Sequence, residues 1–324
     1  MSFKSVAAKN AVLRILGVIT VAAAALVSIS VSSQPGVRAQ SAQRATPPKV
    51  TLPDEAAGID GVVRALISVY DQVDVVALGE SHQRRIDSDL RIALVRHPDF
   101  AKKVRSIVVE FATSTEQTTL DRYIRGENVS RAQLKRVGPS EPGSVIWESA
   151  VYEDFFAAVR EVNSRLPADA RIRVFGGEDN RNRDTAAVSI LKEQVFQKHG
   201  KGLVIYGAAH FWRTEGTGMV RMLDSSYPGR TLAVIPVGGQ SNNRPEDDVS
   251  RPDYQKFDRA LKTQLRPVLL SLKRLPFMDF KTEEFLGGDV VRCSRSTGGC
   301  VSVFKGSTLT LGQMADAMVY FGKP

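Results

Sequence analysis

Two of the four histidines in this 324-residue chain end the same short pattern. Gly79-Glu80-Ser81-His82 follows the apolar run Val73 to Leu78, and Gly207-Ala208-Ala209-His210 follows Leu203 to Tyr206. Each reads as a strand that stops at a glycine and delivers an imidazole three residues later. Histidine is the side chain best suited to move a proton near neutrality, and it is the commonest metal ligand. A repeated delivery therefore points to one shared site, hydrolytic or metal-binding. Glu80 sits inside the first pattern, and Glu110 closes a second apolar run, Ile107 to Val109. A buried carboxylate without a partner costs several kcal/mol, so both acids require cations, donors or a metal. Arg84, Arg85, Arg181 and Arg183 follow two of the strand ends and either neutralise these acids or grip an anionic substrate. Glu178 and Asp179 follow Gly176-Gly177 and either join the site or cap the next helix. His97, before Pro98, and His199, at a helix end, read as ordinary surface or core histidines.

Such residues meet only if the frame sets strand ends side by side. Helical periodicity covers residues 59–71, 86–96, 117–125 and 152–165, the last with Phe155, Phe156, Val159 and Val162 on one face. Asp184 is placed to cap a helix that runs to about His199, with Gly200 just beyond. Short apolar strands are expected at 73–78, 106–111, 172–175, 203–206 and 231–237, and residues 314–320 fit a helix or a strand. Strands alternating with helices imply an α/β fold with a mostly parallel central sheet and helices on both faces. Ligands of such sheets sit beyond the carboxyl ends of the strands, where neighbours stand about 4.8 Å apart. The polar stretches 126–150 and 239–256 are lid loops or surface insertions.

The chain ends add compartment and class. Lys4, Lys9 and Arg14 precede an apolar stretch from Ile15 to about Val31, and Val37-Arg38-Ala39 offers a cleavage site before Gln40. Residues 1–39 are expected to be a signal peptide, with an uncleaved membrane anchor as the alternative. Export to the periplasm or the medium follows, with no stable membrane span after cleavage. Residues 40–57, with three prolines, read as a linker, and 58–324 as a single domain. Cleavage lowers the net charge from +9 to +5, and no basic stripe is interleaved with aromatics, so nucleic acid is not an expected partner. The only cysteines, Cys293 and Cys300, flank a turn-rich hexapeptide, as expected of a small disulfide-closed hairpin. No G-x-S-x-G, H-E-x-x-H, P-loop or G-x-G-x-x-G pattern is present, which argues against a serine α/β-hydrolase, a zincin, an NTPase or a dinucleotide enzyme.

The two G-x-x-H motifs, together with Glu110 after Ile107-Val108-Val109, resemble the erythromycin-esterase-like/ChaN/Tiki superfamily. Residues 75–113, 147–163 and 203–211 and the ending Ala315 to Gly322 look like an exported bacterial branch of it. The resemblance implies an α/β core and one of three chemistries: lactone opening, metal-dependent peptide hydrolysis, or haem or iron binding. In the esterase branch the first motif usually has one more residue before its histidine, a departure that separates this chain from macrolide opening. The expectation is a hydrolase of an ester, lactone or amide, acting on a small molecule or a peptide. His82 would be base or metal ligand, and Glu110 would orient it or act on water. His210 would complete the site as ligand or as stabiliser of the tetrahedral intermediate, and Glu80 would orient a histidine or join the metal. Arg85, Arg183 and Glu178 would contact substrate. A divalent ion would be held by His82, His210 and Glu110, leaving a position for water. The alternative is a haem- or iron-binding uptake protein without catalysis, with a histidine or Tyr206 as axial ligand.

Overall fold

Successive strand residues point to opposite faces of a sheet, and here both faces are apolar. In the computed structural model, Val76, Leu78, Ile107, Val109, Leu203 and Ile205 pack into one core, and Val75, Ala77, Val108, Val204 and Ala233 into another on the far side. A sheet greasy on both faces must be covered twice, which gives three layers. The structure describes residues 50–139, 149–178, 183–213, 218–239, 253–286, 291–293, 300–302 and 306–323. The expected signal peptide and most of the expected linker lie outside them.

The chain runs β1 (Ala56–Ala57), α1 (Gly58–Val69), β2 (Val75–Glu80), α2 (Arg85–Arg96), α3 (Phe100–Lys103), β3 (Ser106–Thr113), α4 (Gln117–Ile124) and α5 (Arg131–Lys135). It continues through α6 (Ala150–Ser164), β4 (Arg173–Glu178), α7 (Arg183–Leu191), β5 (Gly202–Gly207), α8 (Met219–Ser226), β6 (Thr231–Val237), α9 (Asp253–Ala260) and β7 (Val268–Ser271). It closes with α10 (Thr282–Leu286), β8 (Val291–Cys293), β9 (Cys300–Ser302), α11 (Leu311–Met314) and β10 (Ala317–Tyr320). Eight strands form the main sheet in the order β1-β7-β10-β6-β2-β5-β3-β4. From β10 to β4 every pairing is parallel, and β7 runs against both of its neighbours. The mostly parallel α/β fold read from the sequence is therefore present, with β1 and β7 added at one edge.

Three sequence readings are corrected or completed. Residues 314–320 resolve into the end of α11 and the strand β10. The stretch 126–150 is no plain loop: α5 lies in it, started by a capping box between Ser130 and Gln133; residues 140–148 and 240–252 lie outside the described residues. The hairpin near the C-terminus is present, with Cys293 opposite Cys300. The disulfide expected to close it is not supported, and both cysteine side chains lie outside the described residues.

The register decides what reaches the carboxyl ends. β5 inserts between β2 and β3, and Glu80 pairs with Gly207 across the ladder. The two G-x-x-H strands are thus immediate neighbours. Packing at Gly177 leaves no spare room. A Cβ on Gly177 in β4 would collide with the Tyr206 hydroxyl of β5. That hydroxyl is buried and has no hydrogen-bond partner among the described residues. Gly177→Ala is expected to cost about 1–3 kcal/mol by overpacking. Tyr206→Phe is expected to be neutral or slightly stabilising, since it removes a buried unpaired polar group. Urea unfolding checks both. The double variant should recover part of the Gly177→Ala loss, and a Gly177→Ala protein as stable as the parent would disprove the collision.

Candidate functional site

Glu80 ends β2 with its side chain on the face covered by α2 and α6, and it is 3% exposed. Its Oε1 accepts from Tyr152 of α6 and meets His82 Nδ1, each at 2.9 Å, while Oε2 accepts from Arg91 of α2. Arg91 is itself buried, its guanidinium 5.0 Å from the Phe111 ring centroid and 5.2 Å from that of Tyr152. The rings accept the flat cation that the carboxylate needs. The Tyr152 hydroxyl also accepts from the backbone N–H of Gln83 at 3.0 Å. Gln83 is held at φ 63°, a left-handed conformation that turns the loop so that His82 faces back toward Glu80.

Glu110, in β3, points to the opposite face and is completely buried. Its Oε2 accepts from the Gly207 backbone N–H at 2.7 Å. Its Oε1 accepts from Arg183 Nη1 at 3.0 Å and lies 3.4 Å from His210 Nε2. His210, in a turn of 3₁₀ helix after β5 (Ala208–Phe211), meets Asp184 of α7 through Nδ1 at 2.5 Å. Arg183 also pairs with Glu178 at the end of β4. The two faces meet over Gly207. A Cβ built there would stand 3.0 Å from His82 Cε1, 3.1 Å from His82 Nε2 and 3.5 Å from Glu110 Oε2. Glycine at 207 thus leaves the space that the first imidazole and the second carboxylate share.

These contacts set the charges. Burial opposes ionisation of Glu110, but the hydrogen bond and charge of His210, the His82 charge and the Gly207 N–H outweigh it and hold the carboxyl at about 2. Burial also opposes the charged form of His210, and Asp184 and Glu110 together overcome it and push the imidazole up to about 10. His82 follows the same pattern more weakly: burial lowers it, and Glu80 and Glu110 leave it raised above 6.5.

His82, Glu80, Glu110, His210, Arg183 and Glu178 are therefore brought to one rim of the sheet. Arg85 is not. It is about half exposed and pairs with Asp154 at 2.7 Å, because the first turn of α2 turns it outward against α6. Arg84 is buried, but it is spent on Asp87 and the Gly238 carbonyl. Asp179 and Arg181 lie outside the described residues. Asp184 lies inside the first turn of α7 and gives its carboxylate to His210. Sequence reading missed the parts played by Arg91, Tyr152 and Asp184. Only the adjacency of Asp184 to Arg183 pointed toward one of them.

Among the described residues no group of three or more His, Cys, Asp or Glu side chains is arranged to hold a metal ion. The chemistry agrees: a guanidinium already sits on Glu110, and His210 is clamped between two carboxylates. The residues present do not fit a divalent ion.

With this geometry in place, the family model for haem-binding uptake, Tiki superfamily, ChaN matches residues 66–170, a span that contains Glu80, His82 and Glu110. The chain resembles the ChaN/Tiki group. A solved protein from Bacillus cereus aligns at TM-score 0.55 and 12% identity, covering 85% of this chain and 94% of its own. A succinoglycan biosynthesis protein aligns at TM-score 0.51 and 11% identity, covering 82% and 91%. An erythromycin esterase mutant in its open conformation aligns at TM-score 0.47 and 12% identity, covering 81% and 93%. The first two establish a shared fold. A search of curated proteins gave no match.

The lowered carboxyl makes a stability prediction. A group whose folded pKa lies below its unfolded value adds stability that is present above the unfolded value and lost in acid. For Glu110 the loss is expected as pH falls from 4.5 toward 2. His210 has the opposite sign: its contribution is complete below 6.5 and is lost as pH rises through about 10. Urea midpoints measured across pH should decline at both ends in the parent protein. The acid decline should be shallower in Glu110→Gln and the alkaline decline shallower in His210→Asn; unchanged slopes would contradict the assigned ion pairs.

Proposed function

We propose that this chain is an exported hydrolase of an ester, lactone or amide, with water as the nucleophile. The observation that carries the reading is a pair of imidazoles beside Glu110, each fixed through Nδ1 by its own carboxylate: His82 stands over Gly207 next to Glu110 Oε2, and His210 Nε2 lies 3.4 Å from Glu110 Oε1. A histidine oriented through Nδ1 presents Nε2 for proton transfer. His82, held by Glu80 and about one-third exposed, takes the proton of the attacking water. His210 stays cationic at neutral pH, and its Nε2 is held only at 3.4 Å by Glu110. It donates to the oxyanion as the carbonyl becomes tetrahedral and then gives its proton to the leaving group. Arg183 pairs with Glu110 at 3.0 Å, so the carboxylate keeps a cationic partner after His210 has given up its proton.

The pH dependence follows from these roles. His82 must be neutral to act as a base, so the rate rises as pH passes its pKa, which lies above 6.5. His210 must be protonated, so the rate falls near 10. Turnover of p-nitrophenyl esters and small peptides is expected to drop roughly 10²–10⁴-fold in His82→Ala and in His210→Ala. Full turnover in both variants would end this reading.

The description of the matching family supports a second reading, haem binding without catalysis. His82, about one-third exposed, is the axial candidate. Tyr206 is not, because its hydroxyl is buried against Gly177. A haem would supply ligand or redox chemistry that the protein alone lacks. A Soret band formed on haem titration, abolished in His82→Ala and unaccompanied by ester turnover, favours this second reading over the first.

Export is part of the proposal, and it is supported by the basic and then apolar start of the chain. Mass spectrometry of protein recovered from outside the cytoplasm is expected to find Gln40 as the first residue. An intact Met1 would instead indicate an uncleaved anchor.

A further inference from the structure

We propose that the amino end of the sheet carries a second binding site, for an uncharged, largely apolar small molecule. The proposal stands apart from the hydrolase reading. A cavity of about 650 Å³ opens where β6 begins and β7 ends. That volume lies in the range that holds a drug-sized ligand. Thr231 and Leu232, the first residues of β6, form part of its wall, whereas Val237 ends the same strand at the histidine pole. The two sites are therefore about 20 Å apart along the strand.

The wall is mainly apolar. Leu52, Leu232 and Leu272 are buried beneath it, and Val50 lies on its side. Met278, 38% exposed, stands at the cavity, and three residues before it Leu275 is 69% exposed, two of the four large apolar side chains exposed among the described residues.

The charged groups of the wall decide the ligand class, because three of them, Arg213, Lys273 and Asp316, are already used within the protein. The Arg213 guanidinium is paired with Asp224 and Asp316 and reaches the Thr231 carbonyl at 3.3 Å. Asp316 also accepts from the Ala233 N–H at 2.9 Å and lies 3.5 Å from Lys273 Nζ. Lys273 donates to the Gly312 carbonyl at 2.6 Å. Asp279 is exposed at the rim and faces water. A charged ligand entering this wall would break one of these pairs or rely on the exposed, water-screened Asp279 alone, both unfavourable in a partly dry site. An uncharged molecule avoids both costs. The wall also holds a hydroxyl without a partner: Thr231 is 2% exposed, and its hydroxyl has no hydrogen-bond partner among the described residues. Buried hydroxyls are normally paired.

The test uses the full chain and the uncharged fluorophore N-phenyl-1-naphthylamine, titrated by emission. Saturable binding with one site per chain is expected. Val50→Trp and Met278→Trp, which place a large ring in the cavity from two different segments, should each weaken it by about tenfold or more. Leu265→Trp alters a 65% exposed residue on the segment leading into β7, at the other pole, and should leave binding unchanged. Thermal unfolding of each variant confirms that it folds. The proposal is overturned if no saturable binding occurs, if both cavity variants bind as the parent does, or if Leu265→Trp weakens binding equally. Tighter binding of the anionic analogue 8-anilinonaphthalene-1-sulfonate would overturn the assignment to uncharged ligands.

Discussion

A carboxylate removed from water must be surrounded by charge and donors, and Glu110 is removed completely. Three groups from two pieces of chain answer it. Gly207 brings a backbone N–H from β5, Arg183 brings a guanidinium from α7, and His210 brings an imidazole from the turn after β5. Each group must be in place for the others to be tolerated. Arg183 and His210 are cations in a partly dry rim and require Glu178 and Asp184 in their turn. The rim of the sheet is therefore an alternating lattice of charge built outward from one acid, and His210 owes its protonation to it.

The period of two along a strand divides this lattice into halves. Glu80 and Glu110 lie on different faces, one beneath α2 and α6 and the other beneath α7. The first half is sealed by aromatic rings around Arg91, and the second by Tyr206 and its neighbours. His82 starts on the first half and leans over Gly207 onto the second. Two imidazoles with distinct environments result, one only modestly raised and the other held cationic. Separating the two pKa values in this way is how one site holds a base and an acid at the same pH.

Much of this could be read along the chain. The strand that ends at Glu80, the helix beginning near Arg85, the strand through Glu110 and the strand that ends at Gly207 follow from apolar runs and glycine stops, which are local signals. Arg183 was recognised because it follows a strand end closely. Arg85 looked equivalent by the same criterion, yet the first turn of α2 aims it at Asp154. A helix advances by 100° per residue, so neighbouring arginines face different ways, and no rule of spacing from a strand end can tell which one turns inward.

The composition and order of the residues dictate an α/β chain whose strand ends carry two histidines and two acids, because backbone preference and burial period act over a few residues. Folding settles the rest: that β5 slips between β2 and β3, that Glu80 comes level with Gly207, and that Tyr152, 72 positions away, reaches the first acid. Those outcomes depend on how all the apolar faces can be covered at once. That is a property of the whole packed chain, and no window of sequence contains it.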